Sequence, residues 1–135
     1  MSERVSDTKS MIAGMSPELV AGAFDFCTLP FGDARLDGLI PQARAVCEEA
    51  EGVSLILPLE VMDAQSLPQT APMAQITLTV YSSLEGVGLT AAVAVALAEA
   101  GIACNMVAGF HHDHAFVPLA RADDALAILV ALAGR

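Results

Sequence analysis

At 135 residues the chain can bury roughly 65–70% of its unfolded surface, enough for one compact domain or two small fused modules and too little for a large multidomain architecture. Its formal net charge of −10 and its lack of any basic cluster would repel phosphate backbones and anionic lipid heads, so neither nucleic acid nor a membrane surface is an expected partner. Hydrophobic residues make up 55% of the chain, yet the longest apolar run, Ala125 to Ala133, is far shorter than the ~18–20 residues that span a bilayer.

The N-terminus lacks the basic-then-apolar order of a secretion signal, so a cytoplasmic location is expected. Cys27, Cys47 and Cys104 are odd in number and widely spaced, which speaks against a disulfide framework or a CxxC metal site. They read as small buried hydrophobes.

Along the chain, Asp7 is placed to cap a short helix through Met15, and Ser16-Pro17-Glu18 reads as a turn. Ala23 to Leu29 alternates with the period of a strand, Phe24 and Phe26 on one face and Asp25 and Cys27 on the other. Pro30 to Pro41 leaves little room for a full helix. Arg44 to Ala50 and Val53 to Leu57, joined at Glu51-Gly52, read as a hairpin, and a short helix follows from Leu59 to Ser66. The acids Glu48, Glu49 and Glu51 suit a solvated edge strand better than a catalytic pair.

Gln75 to Tyr81 has the clearest alternation, with Ile76, Leu78 and Val80 inward and Thr77 and Thr79 outward. Val87 to Ala100 is apolar nearly all round, so as a helix it needs cover on more than one side. Ala103 to Phe110 and Ala115 to Leu119 flank His111-His112-Asp113-His114 as a second hairpin. Asp123-Asp124 opens a last helix at its positive end, which Gly134 stops.

A shift of 60 positions lays Leu57-Pro58-Leu59 over Val117-Pro118-Leu119 and Asp63 over Asp123. The element order on the two sides agrees, so the chain reads as a degenerate tandem repeat. The expected fold class is α+β, with two units over residues 1–70 and 71–135 whose antiparallel sheets carry helices on one face.

Taken together, Phe26-Cys27-Thr28, Ile76-Thr77-Leu78-Thr79-Val80, Ser82-Ser83-Leu84-Glu85 leading through Val87-Gly88-Leu89-Thr90, and His112-Asp113-His114 before Phe116-Val117-Pro118 carry a resemblance. The chain is similar to the small bacterial proteins with tandem ACT-like domains, its second module similar to the regulatory modules of aspartate kinase. The resemblance implies ferredoxin-like ACT βαββ-type modules that pair side by side, a homodimer or higher even oligomer, and a small ligand, often an amino acid, bound at the module interface. It implies no catalytic residues and no cofactor.

Residue by residue, the ligand-binding candidates are Ser82, Ser83, Leu84, Glu85, Gly86, Val87 and Gly88. Gly86 and Gly88 leave helix N-terminal amides open to a carboxylate, Ser82 and Ser83 offer hydroxyls, and Glu85 can face an ammonium group. The plainer alternative is that Ser82 or Ser83 only caps the helix. By analogy with the family, Asn105, Met106 and Val107 would add backbone partners, or be ordinary sheet residues. His111, His112, Asp113 and His114 read first as turn chemistry, with a divalent ion on His112 and His114 as the minor alternative. A structural or protein-interaction module without a ligand also fits the apolar Val87–Ala100 helix.

Overall fold

The structure is a computed structural model that describes residues 8–79 and 87–134. Among these, the elements in chain order are α1 (Thr8–Gly14), β1 (Pro17–Leu19), β2 (Phe24–Leu29), α2 (Leu36–Leu39), β3 (Ala45–Glu49), β4 (Gly52–Pro58), α3 (Leu59–Ala64), β5 (Met73–Leu78), α4 (Leu89–Glu99), β6 (Asn105–Ala108), β7 (Asp113–Pro118) and α5 (Ala122–Ala133). No helix among the described residues is long and apolar enough to cross a membrane.

The chain forms two compact units. In Gly22–Met73, β4 lies between β3 and β2, antiparallel to both, and Phe24 on the far edge of β2 pairs with Met73. The period of two sends Leu29, Val53, Leu55 and Leu57 to one face, where Leu36, Leu39 and Met62 from the short helices close over them. The Pro30–Pro41 stretch holds only the single turn of α2 and a 3-10 turn at Ile40–Gln42, in keeping with its Gly and Pro content. Gly52 opens β4 where the chain passes closest to its neighbour, because a Cβ there would stand 2.7 Å from the Leu29 carbonyl oxygen. Backbone cannot retreat as a flexible side chain can. Gly52→Ala is therefore expected to cost about 2 kcal/mol, read as a lower urea midpoint at unchanged slope.

The second unit joins residues 8–21 to 74–134. β5 lies between β1 and β7, and β6 pairs antiparallel on the outer edge of β7, with Asn105 opposite Phe116. Ala74, Ile76 and Leu78 of β5 and Ala115 and Val117 of β7 meet Met11, Val93, Leu97 and Leu129 in one core, so α1, α4 and α5 cover a single face. The inward set expected for β5 is thus observed at Ile76 and Leu78. Val80 lies outside the described residues.

Two local readings change. Ser16-Pro17-Glu18 is not simply a turn, because Pro17–Leu19 pairs with β5 in the register Pro17 to Leu78 and Leu19 to Ile76. A proline at the first strand position forfeits no needed ladder bond. Asp113 and His114 belong to β7, and the turn closes earlier, where the Gly109 N–H donates to the His112 carbonyl at 2.9 Å. Residues 8–21 pack with residues 74–134 in one compact unit. The sixty-residue offset keeps its meaning, since Pro58 and Pro118 both end a strand and start a helical turn.

Candidate functional site

Asp25 is an aspartate in mid-strand, a position where short acids are disfavoured unless something binds them. It is fully buried. One oxygen accepts the N–H of Phe26 at 2.7 Å, and the other accepts those of Thr70 and Ala71 at 2.6 and 3.0 Å. The carboxylate thereby ties the 67–71 loop to β2.

Between that loop and the strand lies a cleft of about 370 Å³ lined by Phe26, Cys27, Thr28, Ser54, Leu67, Pro68 and Thr70. None of the lining side chains is an acid or a base. Burial, and after it the negative Asp25, pushes the Cys27 thiol up, so the group stays neutral near pH 7. Arg35 opposes this only weakly and is held in a fork on Asp33, whose carboxyl it keeps below its ordinary range.

In the other unit, Gln75 is a buried amide whose Nε2 donates to Thr77 Oγ1 at 3.1 Å and lies 3.2 Å from His114 Nδ1, itself 3.0 Å from the Thr77 hydroxyl. The three side chains share the sheet face away from the helices. His114 is accordingly engaged within the sheet, and among the described residues no three of His, Cys, Asp and Glu come together as a metal-holding group.

Ser82, Ser83, Leu84, Glu85 and Gly86 lie outside the described residues. Val87 is exposed, and Gly88 caps α4 with φ +105°. Gly88 is covered, because a Cβ there would come within 2.6 Å of Thr8 Cγ2, and the Thr8 hydroxyl donates to the Val87 carbonyl. Asn105, Met106 and Val107 form β6 on the sheet margin, Asn105 exposed and the other two half-buried. Asp25 was missed as a site residue, although an acid between Phe24 and Phe26 in a strand pattern was the available signal.

This order of elements, with two strand–helix–hairpin–helix units in succession along the chain, defines a tandem ferredoxin-like architecture. Residues 5–74 and 71–131 each match the ACT domain family, so the chain belongs to that family. Its fold is similar to a Vibrio cholerae protein of unknown function described as a possible transport protein, at 41% identity, TM-score 0.82, covering 93% of this chain and 94% of that one. It is also similar to a protein from Agrobacterium tumefaciens at 14% identity and TM-score 0.67, covering 88% and 89%. The ligand-free regulatory subunit of Thermus thermophilus aspartate kinase is similar in fold at 11% identity and TM-score 0.59, covering 88% and 98%. No match was found among curated proteins.

Proposed function

We propose that the protein is a non-catalytic regulatory sensor of the cytoplasm that binds an amino acid or a similar metabolite at the loop entering α4. The observation that carries this reading is the pair of ACT domains filling the chain, an arrangement it has in common with a regulatory subunit of aspartate kinase. In this reading Ser82, Ser83 and Glu85 meet the polar ends of the ligand, residues 84 and 86–88 shape the loop, and Asn105, Met106 and Val107 offer backbone from β6. Thr8 stands against Gly88. Calorimetric titration with the standard amino acids is expected to find at least one binder whose affinity falls about tenfold or more in Glu85→Ala, the loss of one charge-assisted contact. Silence across the whole panel would refute the assignment.

A second reading, an interaction module working through contacts between chains, draws on α4 and α5. Val95 and Val130 are 56% and 54% exposed there, and Val95 lines a shallow groove with Ala91, Ala92, Ala96, Glu99 and Leu132. It agrees with pairing into a homodimer or higher even oligomer, which sedimentation velocity at several concentrations would detect.

A further inference from the structure

The ladder in the Gly22–Met73 unit has a fixed phase. The Leu59 N–H donates to the Ala23 carbonyl at 3.0 Å, and the Arg44 N–H donates to the Ile56 carbonyl at 2.7 Å. In an antiparallel pair successive residues face opposite edges, so Asp25, Cys27 and Leu29 turn their backbone toward β4 while residues 24, 26 and 28 turn theirs the other way. On that other edge Phe24 pairs with Met73, and the Phe26 N–H is taken by Asp25. Thr28 comes next. Its N–H and C=O point outward beside the cleft, and among the described residues nothing pairs with them on that edge.

An unpaired strand residue beside an apolar cavity has the two halves of a strand-addition site, a backbone donor and acceptor for register and a pocket for a side chain. Phe26, Leu67 and Pro68 supply the apolar wall, and the hydroxyls of Thr28, Ser54 and Thr70 supply its few polar points. A cavity of about 370 Å³ falls within the range of small-ligand pockets and holds one residue with its flanking amides. With no charged side chain in the lining, a free amino acid would leave its ammonium and carboxylate without counter-charges, whereas a blocked residue has nothing ionised to desolvate.

We propose that the cleft between β2 and the 67–70 loop binds an uncharged ligand with an apolar side group and an extended amide, which pairs through its N–H and C=O with the Thr28 backbone. This site is separate from the loop entering α4 and stands whether or not that loop binds a metabolite. It is held open by Asp25, whose grip on Thr70 and Ala71 keeps the loop beside the strand without closing onto it.

The test uses the full chain and N-acetyl-leucine N-methylamide as probe, followed by NMR titration, with free leucine as the charged comparison. Two variants are read alongside. Thr28→Pro removes the outward N–H while sparing the β4 ladder, and Thr70→Phe fills the cleft; circular dichroism and the thermal midpoint verify folding. Saturable shifts are expected at Phe26, Thr28, Ser54 and Thr70, with affinity at least about tenfold lower for free leucine and for each folded variant. Iodoacetamide should modify Cys27 more slowly in the presence of the probe and exposed Cys47 at the same rate, as mass spectrometry of the peptides reads. Absence of saturable shifts, equal binding of free leucine, or undiminished affinity in a folded variant would overturn the proposal.

Discussion

Replacing Asp25 with Ala is expected to lower the unfolding free energy by about 3–5 kcal/mol and the thermal midpoint by on the order of 10 °C. The side chain is fully buried and accepts hydrogen bonds from Phe26, Thr70 and Ala71, so its loss removes the shared acceptor of three backbone donors. Three hydrogen bonds to one charged acceptor are lost together, which is why the effect exceeds that of a single ordinary hydrogen bond. Asp25→Asn retains a carbonyl acceptor for one side of the arrangement and turns an NH2 toward the other, so it should lose roughly half as much. Chemical denaturation of both variants measures the order, and amide exchange should show the 67–71 backbone opening first. An Ala variant within about 1 kcal/mol of the parent would mean that the loop holds itself in place.

Met11→Ala is expected to cost about 2–5 kcal/mol, and removal of residues 1–21 to unfold the half of the chain that follows residue 74. Met11 and Met15 are 1% and 4% exposed within the core built by β5, β7, α4 and α5, and β1 supplies the ladder partner for Leu78, Thr77 and Ile76. The Thr79 backbone N–H and hydroxyl both donate to the Ser16 carbonyl, which extends that attachment past the strand. Loss of exchange protection at residues 76–78 in the truncated chain, with protection kept at 53–57, would place residues 8–21 in the second unit energetically as well as spatially. Equal stability with and without the first 21 residues would instead favour modules of 1–70 and 71–135.

Much of the secondary structure was legible because its cause is local. The alternation of Phe24 and Phe26 against Asp25 and Cys27, of Ile76 and Leu78 against Thr77, and the apolar run after Gly88 each specify an element through spacing alone, whatever lies around it. The repeated Pro-Leu pairs after β4 and β7 marked the same strand-to-helix corner twice. Family membership, too, could be read from short motifs, among them Phe26-Cys27-Thr28 inside β2 and Ile76-Thr77-Leu78 inside β5.

The sequence by itself determined the α+β class, the strands built on alternating side chains, the two hairpins and the acidic, weakly aromatic character of the chain. Only the tertiary structure decided that Pro17–Leu19 is a strand of the second unit, that Asp25 is buried as the anchor of the 67–71 loop, and that His114 bonds to Gln75 and Thr77 within a sheet. Three residues carry too little periodicity to announce a strand, and a polar side chain carries no mark of its eventual partner. All three outcomes depend on backbone or side-chain partners 37 to 61 residues away along the chain, which meet only once the sheets have formed.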